Sequence, residues 1–162
     1  SFVGHSLAVA ELVVQLVEAE RGGRCSDLVL ETEPSVWRDY LGSHGAKRSL
    51  RPDLGVELSV GRQQLVWFVE VDRGTEGLRR IRAKGRQYLE YWRTGQEQHR
   101  LSGVFPKVLW SVPDRRRKEL LLRALGELPP PAGDIFVLRT AKRSAALLTC
   151  QRTGGSEQVS EM

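Results

Sequence analysis

Gln64-Leu65-Val66-Trp67-Phe68-Val69-Glu70-Val71-Asp72, followed at once by Arg73-Gly74-Thr75-Glu76, is the stretch on which the fold turns. Leu65 to Val69 is unbroken apolar sequence, so both faces of this strand need burial, which predicts a central position in a sheet. The strand closes on Glu70 and Asp72, two residues apart and therefore on one face. Charged groups ending an apolar strand are costly to desolvate unless they meet a metal, a cation or solvent at an edge.

Downstream, Gly74-Thr75-Glu76 starts a long helix to about Thr94. Its apolar face is Leu78, Ile81, Gly85, Tyr88, Leu89 and Trp92. Arg79, Arg82, Arg86 and Arg93 line one flank, with Arg80 and Lys84 on the other. A linker leads to Pro106 and the strand Lys107–Val112. Pro113-Asp114 then opens a helix through Leu128, Pro129-Pro130-Pro131 breaks it, and Asp134–Thr140 reads as a last strand.

Upstream, Gly61-Arg62-Gln63 is a hairpin turn joining the strand to Gly55–Val60, which Arg51-Pro52-Asp53 precedes. Before that comes a polar loop holding Trp37, Tyr40 and His44, then the short strand Asp27–Thr32. Leu7–Glu20 reads as a mostly apolar helix with a polar strip at Glu11, Gln15 and Glu18, ended by Gly22-Gly23. The order is helix, three strands, helix, strand, helix, strand. That is an α/β sandwich with a mixed central sheet flanked by helices, one domain over residues 1–150, with a polar disordered tail at 151–162. No Gly-rich phosphate loop follows the first strand, which excludes a doubly wound nucleotide fold.

The 162 residues suffice for one independent core, and 40% apolar content excludes a wholly disordered chain. No apolar run approaches the roughly 18 residues of a membrane span and no secretory pattern opens the chain, so a cytoplasmic protein with no membrane partner is expected. Cys25 and Cys150 are too few and too far apart for a disulfide framework or a zinc site. The net charge of +5 comes from 20 Arg and 5 Lys against 20 acids. Arginine's planar fork suits phosphate, although a GC-rich genome yields the same bias. Laid along the chain, the excess concentrates in residues 73–100, with eight Arg or Lys against three Glu.

Across a hairpin, Asp53 and Glu70 converge. Hard oxygen ligands of this kind suit Mg²⁺ or Mn²⁺, which polarises a phosphoryl oxygen and generates hydroxide. The plainer alternative has Asp53 capping a turn and Glu70 pairing with an arginine. An acidic pocket beside a basic helix is what metal-assisted chemistry on a phosphodiester needs.

Arg51-Pro52-Asp53, then Val69-Glu70-Val71-Asp72-Arg73-Gly74-Thr75-Glu76, then Lys84 and Tyr88, with Phe105-Pro106-Lys107-Val108-Leu109 after them, resemble the replication-relaxation family of bacterial plasmids and integrative elements. The resemblance runs from about His5 to Val112. Members often carry an upstream winged-helix DNA-binding segment. A chain that opens at Ser1 and has its only methionine at Met162 is then expected to be a piece of a longer protein.

The same layout resembles the PD-(D/E)xK nuclease core, a restriction-endonuclease-like αβββαβ fold. That resemblance implies Asp53 and Glu70 as metal ligands, helped by the Val71 carbonyl, with Glu11 on the first helix supporting the metal or its water. Asp72 occupies the position of the motif lysine and cannot supply its positive charge. Lys84 is the substitute, Arg80 the second choice, and Asp72 becomes an extra ligand. Arg79, Arg80, Arg82, Arg86 and Arg93 are expected to hold DNA phosphates.

The expectation is a DNA-acting domain of a mobile-element replication or mobilisation protein, hydrolysing phosphodiesters with Mg²⁺ or Mn²⁺ as an endonuclease or nickase. The alternatives are an inactive DNA-binding accessory module and a protein-interaction domain in plasmid replication or transfer. Replication or mobilisation proteins are expected partners, and nuclease-like cores often pair as homodimers. His5, His44 and His99 lack a metal-ligand spacing, though His5 falls near the first helix's start, beside Glu11. Trp37, Trp67, Trp92 and Trp110 are expected to fill the core rather than stack on bases, with Trp37, in the loop, the exception. Arg115-Arg116-Arg117-Lys118 opposes its helix dipole, so it faces solvent or, second, DNA phosphate.

Overall fold

Strand β5 (Gln63–Val71) lies at the centre of a five-stranded sheet of order β1-β4-β5-β6-β7. The computed structural model describes residues 2–151, and the expected tail lies outside them except for Gln151. β1 (Ser26–Glu31) and β4 (Leu54–Val60) run antiparallel to their neighbours, whereas β6 (Lys107–Val112) and β7 (Phe136–Thr140) run parallel to β5. The sheet is therefore mixed, as expected.

The unbroken apolar run of β5 is explained by a core on each face. Phe68 packs with Val108, Trp110 and Leu138 beneath α2 (Leu78–Thr94), α4 (Arg115–Gly126) and the short α5 (Ala132–Ile135). Trp67 and Val69 pack with Leu109 beneath α1 (Phe2–Arg21), and Leu148 of α6 (Ala141–Leu148) joins them. Helix α2 lies close on α4 because position 85 is glycine: a Cβ there would stand 2.6 Å from Leu128 Cδ1 and 2.9 Å from Leu125 Cδ2.

Several expectations need correction. The polar loop is a two-stranded ribbon, β2 (Arg38–Leu41) and β3 (Lys47–Leu50), buried through Tyr40 and Leu50. The linker to Pro106 contains α3 (Gln96–Arg100), and α6 follows β7 without a break. Helix α1 begins at Phe2, earlier than its periodicity indicates. By length and composition α1 also qualifies as a membrane span, with a mean hydropathy of 1.4, against the expectation that no run comes near one. Leu12, Leu16 and Ala19 of α1 are buried against the sheet, while most of that window is not buried. Trp37, the loop tryptophan set apart for base stacking, is half-buried under the Arg51 guanidinium, 4.3 Å from its ring centroid.

The ribbon is tied down by ions as well as rings. Glu97 of α3 is fully buried and accepts from Arg38 Nε (3.1 Å), Tyr91 OH (2.6 Å) and Arg100 Nη2 (2.6 Å). Burial pushes its carboxyl up, but Arg100, Tyr91 and Arg38 more than offset that and hold it below the usual range. Arg38 also forks onto Glu31 at the end of β1, so one guanidinium joins ribbon, sheet and α3.

Candidate active site

The β4–β5 ladder pairs Leu54 with Val69, which sets the preceding residue, Asp53, opposite Glu70. Asp53 prolongs that ladder with its side chain. Its amide donates to the Val69 carbonyl (3.1 Å), and its Oδ2 accepts from the Val71 amide (2.7 Å). His5 Nε2, on the first turns of α1, stands 3.2 Å from the same oxygen.

Glu70 faces α2 and is 7% exposed. Its Oε1 accepts from Tyr88 OH at 2.5 Å and lies 3.4 Å from Lys84 Nζ. The Lys84 ammonium donates in addition to the Arg51 carbonyl at 2.6 Å. Burial pushes the Glu70 carboxyl up to about 8; Lys84 opposes that rise, Asp53 adds to it, and Tyr88 opposes it again. Burial and the adjoining Glu70 carboxylate raise the Tyr88 phenol well above its ordinary value. His5, Asp53, Glu70 and Lys84 open onto a cavity of about 400 Å³, lined also by Asp72, Glu76, Arg73 and Arg80, with Trp110 beside Glu70 across the β5–β6 pairing.

Asp72 follows the strand and is spent elsewhere. Arg117 of α4 forks onto it, Nε to Oδ2 at 2.7 Å and Nη2 to Oδ1 at 2.8 Å, and the Gly74 amide donates to Oδ2 at 3.2 Å. Nη2 of Arg117 also donates to the Glu76 carbonyl at 2.7 Å. Bonding to Asp72 raises the Arg117 guanidinium further above its already high value. Asp72 is thus half of a buried ion pair, and Lys84 is the cation beside Glu70.

Glu11 does not join Asp53. It is exposed and lines a neighbouring cavity of about 550 Å³ with Arg73 and Lys142. His5, six residues earlier on the same helix, is the α1 group that reaches the aspartate. Of the five arginines expected to hold DNA, only Arg80 lines the 400 Å³ cavity, 3.9 Å from Glu76. Arg82 pairs with Glu127 at 3.1 Å, and Arg79, Arg86 and Arg93 are exposed on α2 away from the cavity. Among the described residues no three His, Cys, Asp or Glu side chains converge as a metal-binding group. Of the four carboxylates that line the cavity, Asp72 is forked by Arg117 and Glu76 lies near Arg80, while Asp53 and Glu70 each carry their hydrogen bonds on a single oxygen, with Lys84, Arg73 and Arg80 as the lining cations.

Sequence reading missed three members. Tyr88 appears in the family motif but reads as core on the apolar face of α2, Arg117 is one of four consecutive cations, and His5, expected beside Glu11, stands beside Asp53 instead. Compared with known proteins, residues 1–108 of the 162 match a family model described as Replication-relaxation. No curated protein and no solved structure matches the chain.

Proposed function

Because this chain belongs to the replication-relaxation family, which points to a role in replication or mobilisation of plasmids and mobile elements, we propose that it acts on DNA as a metal-dependent phosphodiester hydrolase. The observation that carries this reading is the Asp53–Glu70 pair with Lys84 Nζ 3.4 Å from Glu70, at the mouth of one cavity. The order α1, β1, β4, β5, α2, β6 in a mixed sheet, with the ribbon between the first two strands, supports this reading, since an αβββαβ core is what the resemblance to PD-(D/E)xK nucleases implies.

Asp53 and Glu70 are oxygen donors that fit Mg²⁺ or Mn²⁺, and would hold it through the oxygens not taken by Val71 and Tyr88. Such an ion, when bound, supplies Lewis acidity and a water of lowered pKa. His5 and the Val71 amide fix the rotamer of Asp53. Tyr88 fixes Glu70, which must lose its proton to bind a cation. Lys84 places positive charge where charge develops on a phosphoryl group, the work of the lysine that Asp72 replaces. Arg80 and Arg73 line the same cavity and orient the substrate phosphate.

The test is relaxation or cutting of supercoiled plasmid with Mg²⁺ or Mn²⁺. Asp53→Ala and Glu70→Ala should abolish it, and Lys84→Ala should slow it by about 10²–10³-fold, the size of one lost transition-state donor. Absence of cleavage with DNA binding intact would refute hydrolysis and favour the second reading, a DNA-binding accessory module. That reading draws on the Asp72–Arg117 pair, which neutralises the motif-lysine position. Absence of DNA binding at low salt would refute both and leave a protein-interaction domain.

A further inference from the structure

The three parallel strands end side by side, with Val71, Ser111 and Arg139 in one row. Beyond the last of them, a cavity of about 390 Å³ opens at the corner of α4, β7 and α6. It is lined by Arg115 and Lys118 from the first turn of α4, Arg139 and Thr140 from the end of β7, and Arg143 from the first turn of α6. Four cations therefore surround one small space. The single lining carboxylate, Glu119, lies 3.4 Å from Arg115 in an exposed pair. Helix α6 starts at this corner with no side-chain cap and no acidic residue in its first turn, so its free amides add to the positive field. Lys118 registers the crowding: burial, then Arg139, Arg143 and Arg115, hold its ammonium below the usual value.

Lys118 feels the repulsion of the three arginines around it, and an anion seated in the cavity would relieve that repulsion. Oxyanions with two or more acceptor oxygens fit the guanidinium forks best.

We propose that this corner is a phosphate-binding subsite for a DNA strand that also crosses the Asp53–Glu70 cavity. The placement argues for a backbone phosphate rather than a free ion. Neighbouring strands lie about 4.8 Å apart, so Arg139 is about 10 Å from the end of β5 across the sheet edge. A DNA strand carries one phosphate per about 3.4 Å of axis, so this distance spans about three nucleotides. Arg73 and Lys142 line the 550 Å³ cavity and continue the positive track along this edge. The strand is thereby assigned to the C-terminal edge of the parallel strands, not to the outer arginines of α2.

The inference rests on the reading of the protein as DNA-acting, but not on cleavage, and one binding experiment separates the two. Anisotropy of a fluorescently tagged duplex is measured against salt for the full chain, for Arg139→Gln with Arg143→Gln, for Lys118→Gln alone, and for Arg79→Gln with Arg86→Gln and Arg93→Gln. The Arg139/Arg143 variant should weaken binding about tenfold or more and flatten the slope of log K against log salt by about 1–2, since each neutralised phosphate contributes about 0.9. Lys118→Gln should move both quantities in the same direction, which guards against a folding defect in the double variant. The α2 triple variant should bind as the wild type does. Unchanged binding by the first two variants, or loss confined to the α2 variant, would overturn the subsite and leave hydrolysis at Asp53 and Glu70 standing. Loss of binding as expected, in a protein that cuts no plasmid, would uphold the subsite and refute hydrolysis. Saturation by inorganic phosphate without any duplex affinity would overturn the DNA assignment.

Discussion

Replacing Glu70 with Gln isolates the most perturbed acid in the cavity. Glutamine keeps the size of the side chain and an acceptor for Tyr88 OH, and it mimics the protonated carboxyl. In the unfolded chain this carboxyl releases its proton near 4.5, in the folded chain near 8. Between those values the folded state holds the extra proton, so stability falls as pH rises. The contribution is fully present below 4.5 and lost once the pH has passed about 8. At about 1.4 kcal/mol for each tenfold change in proton affinity, the loss amounts to at most about 5 kcal/mol.

Urea unfolding of wild type and Glu70→Gln in parallel, from about pH 5 to about pH 9, reads this carboxyl together with the groups coupled to it, because titrating groups that do not interact with Glu70 cancel in the difference. The variant should gain on the wild type steadily with pH, from near equality at the acid end. Mg²⁺ or Mn²⁺ at the alkaline end should stabilise the wild type, by about 2.7 kcal/mol at a hundredfold excess over its dissociation constant, and leave the variant unmoved. Two stability curves that run parallel across the whole range would refute the reasoning, since Glu70 would then ionise like a surface acid.

Truncation of Arg117 to Ala should cost about 3–5 kcal/mol, because Asp72, its side chain 3% exposed, is left buried without its fork. Adding Asp72→Ala should recover much of that loss in a double-mutant cycle followed by denaturation, and simple additivity would show the pair to be uncoupled. Gly85→Ala should lower the thermal midpoint, with overpacking of about 1–3 kcal/mol against Leu128 and Leu125 exceeding the gain of up to about 1 kcal/mol in helix propensity. A raised midpoint would mean that α4 yields without strain.

What could be read in advance followed from strong local signals. β6 agrees with its expected bounds, Lys107–Val112, because Pro106 and Pro113 bracket an apolar run. The facing of Asp53 and Glu70 follows from hairpin arithmetic about Gly61, and Lys84 from its flank of α2. The ribbon was illegible because Arg38-Asp39-Tyr40-Leu41 and Lys47-Arg48-Ser49-Leu50 bury one apolar residue each. It holds its place by long-range bonds instead, such as Gln87 Nε2 to the Ser49 carbonyl at 2.8 Å. α6 escaped notice because no cap or turn residue separates it from β7. Four consecutive cations at 115–118 give no sign of which one turns inward. Helix α1 was read from its apolar stripe, and the residue that meets Asp53 lies near its first turn, ahead of that stripe.

The Lys84 ammonium serves two masters, the Glu70 carboxylate and the Arg51 main-chain carbonyl. Arg51 in turn lies over Trp37, just before β2, and follows directly on β3. Residues away from the carboxylates therefore help to aim the cation beside Glu70. A substitution at Trp37, remote from any substrate, would act on the site as a slackened guy-rope acts on a mast: nothing is removed from the chemistry, yet the charge no longer stands where it is needed.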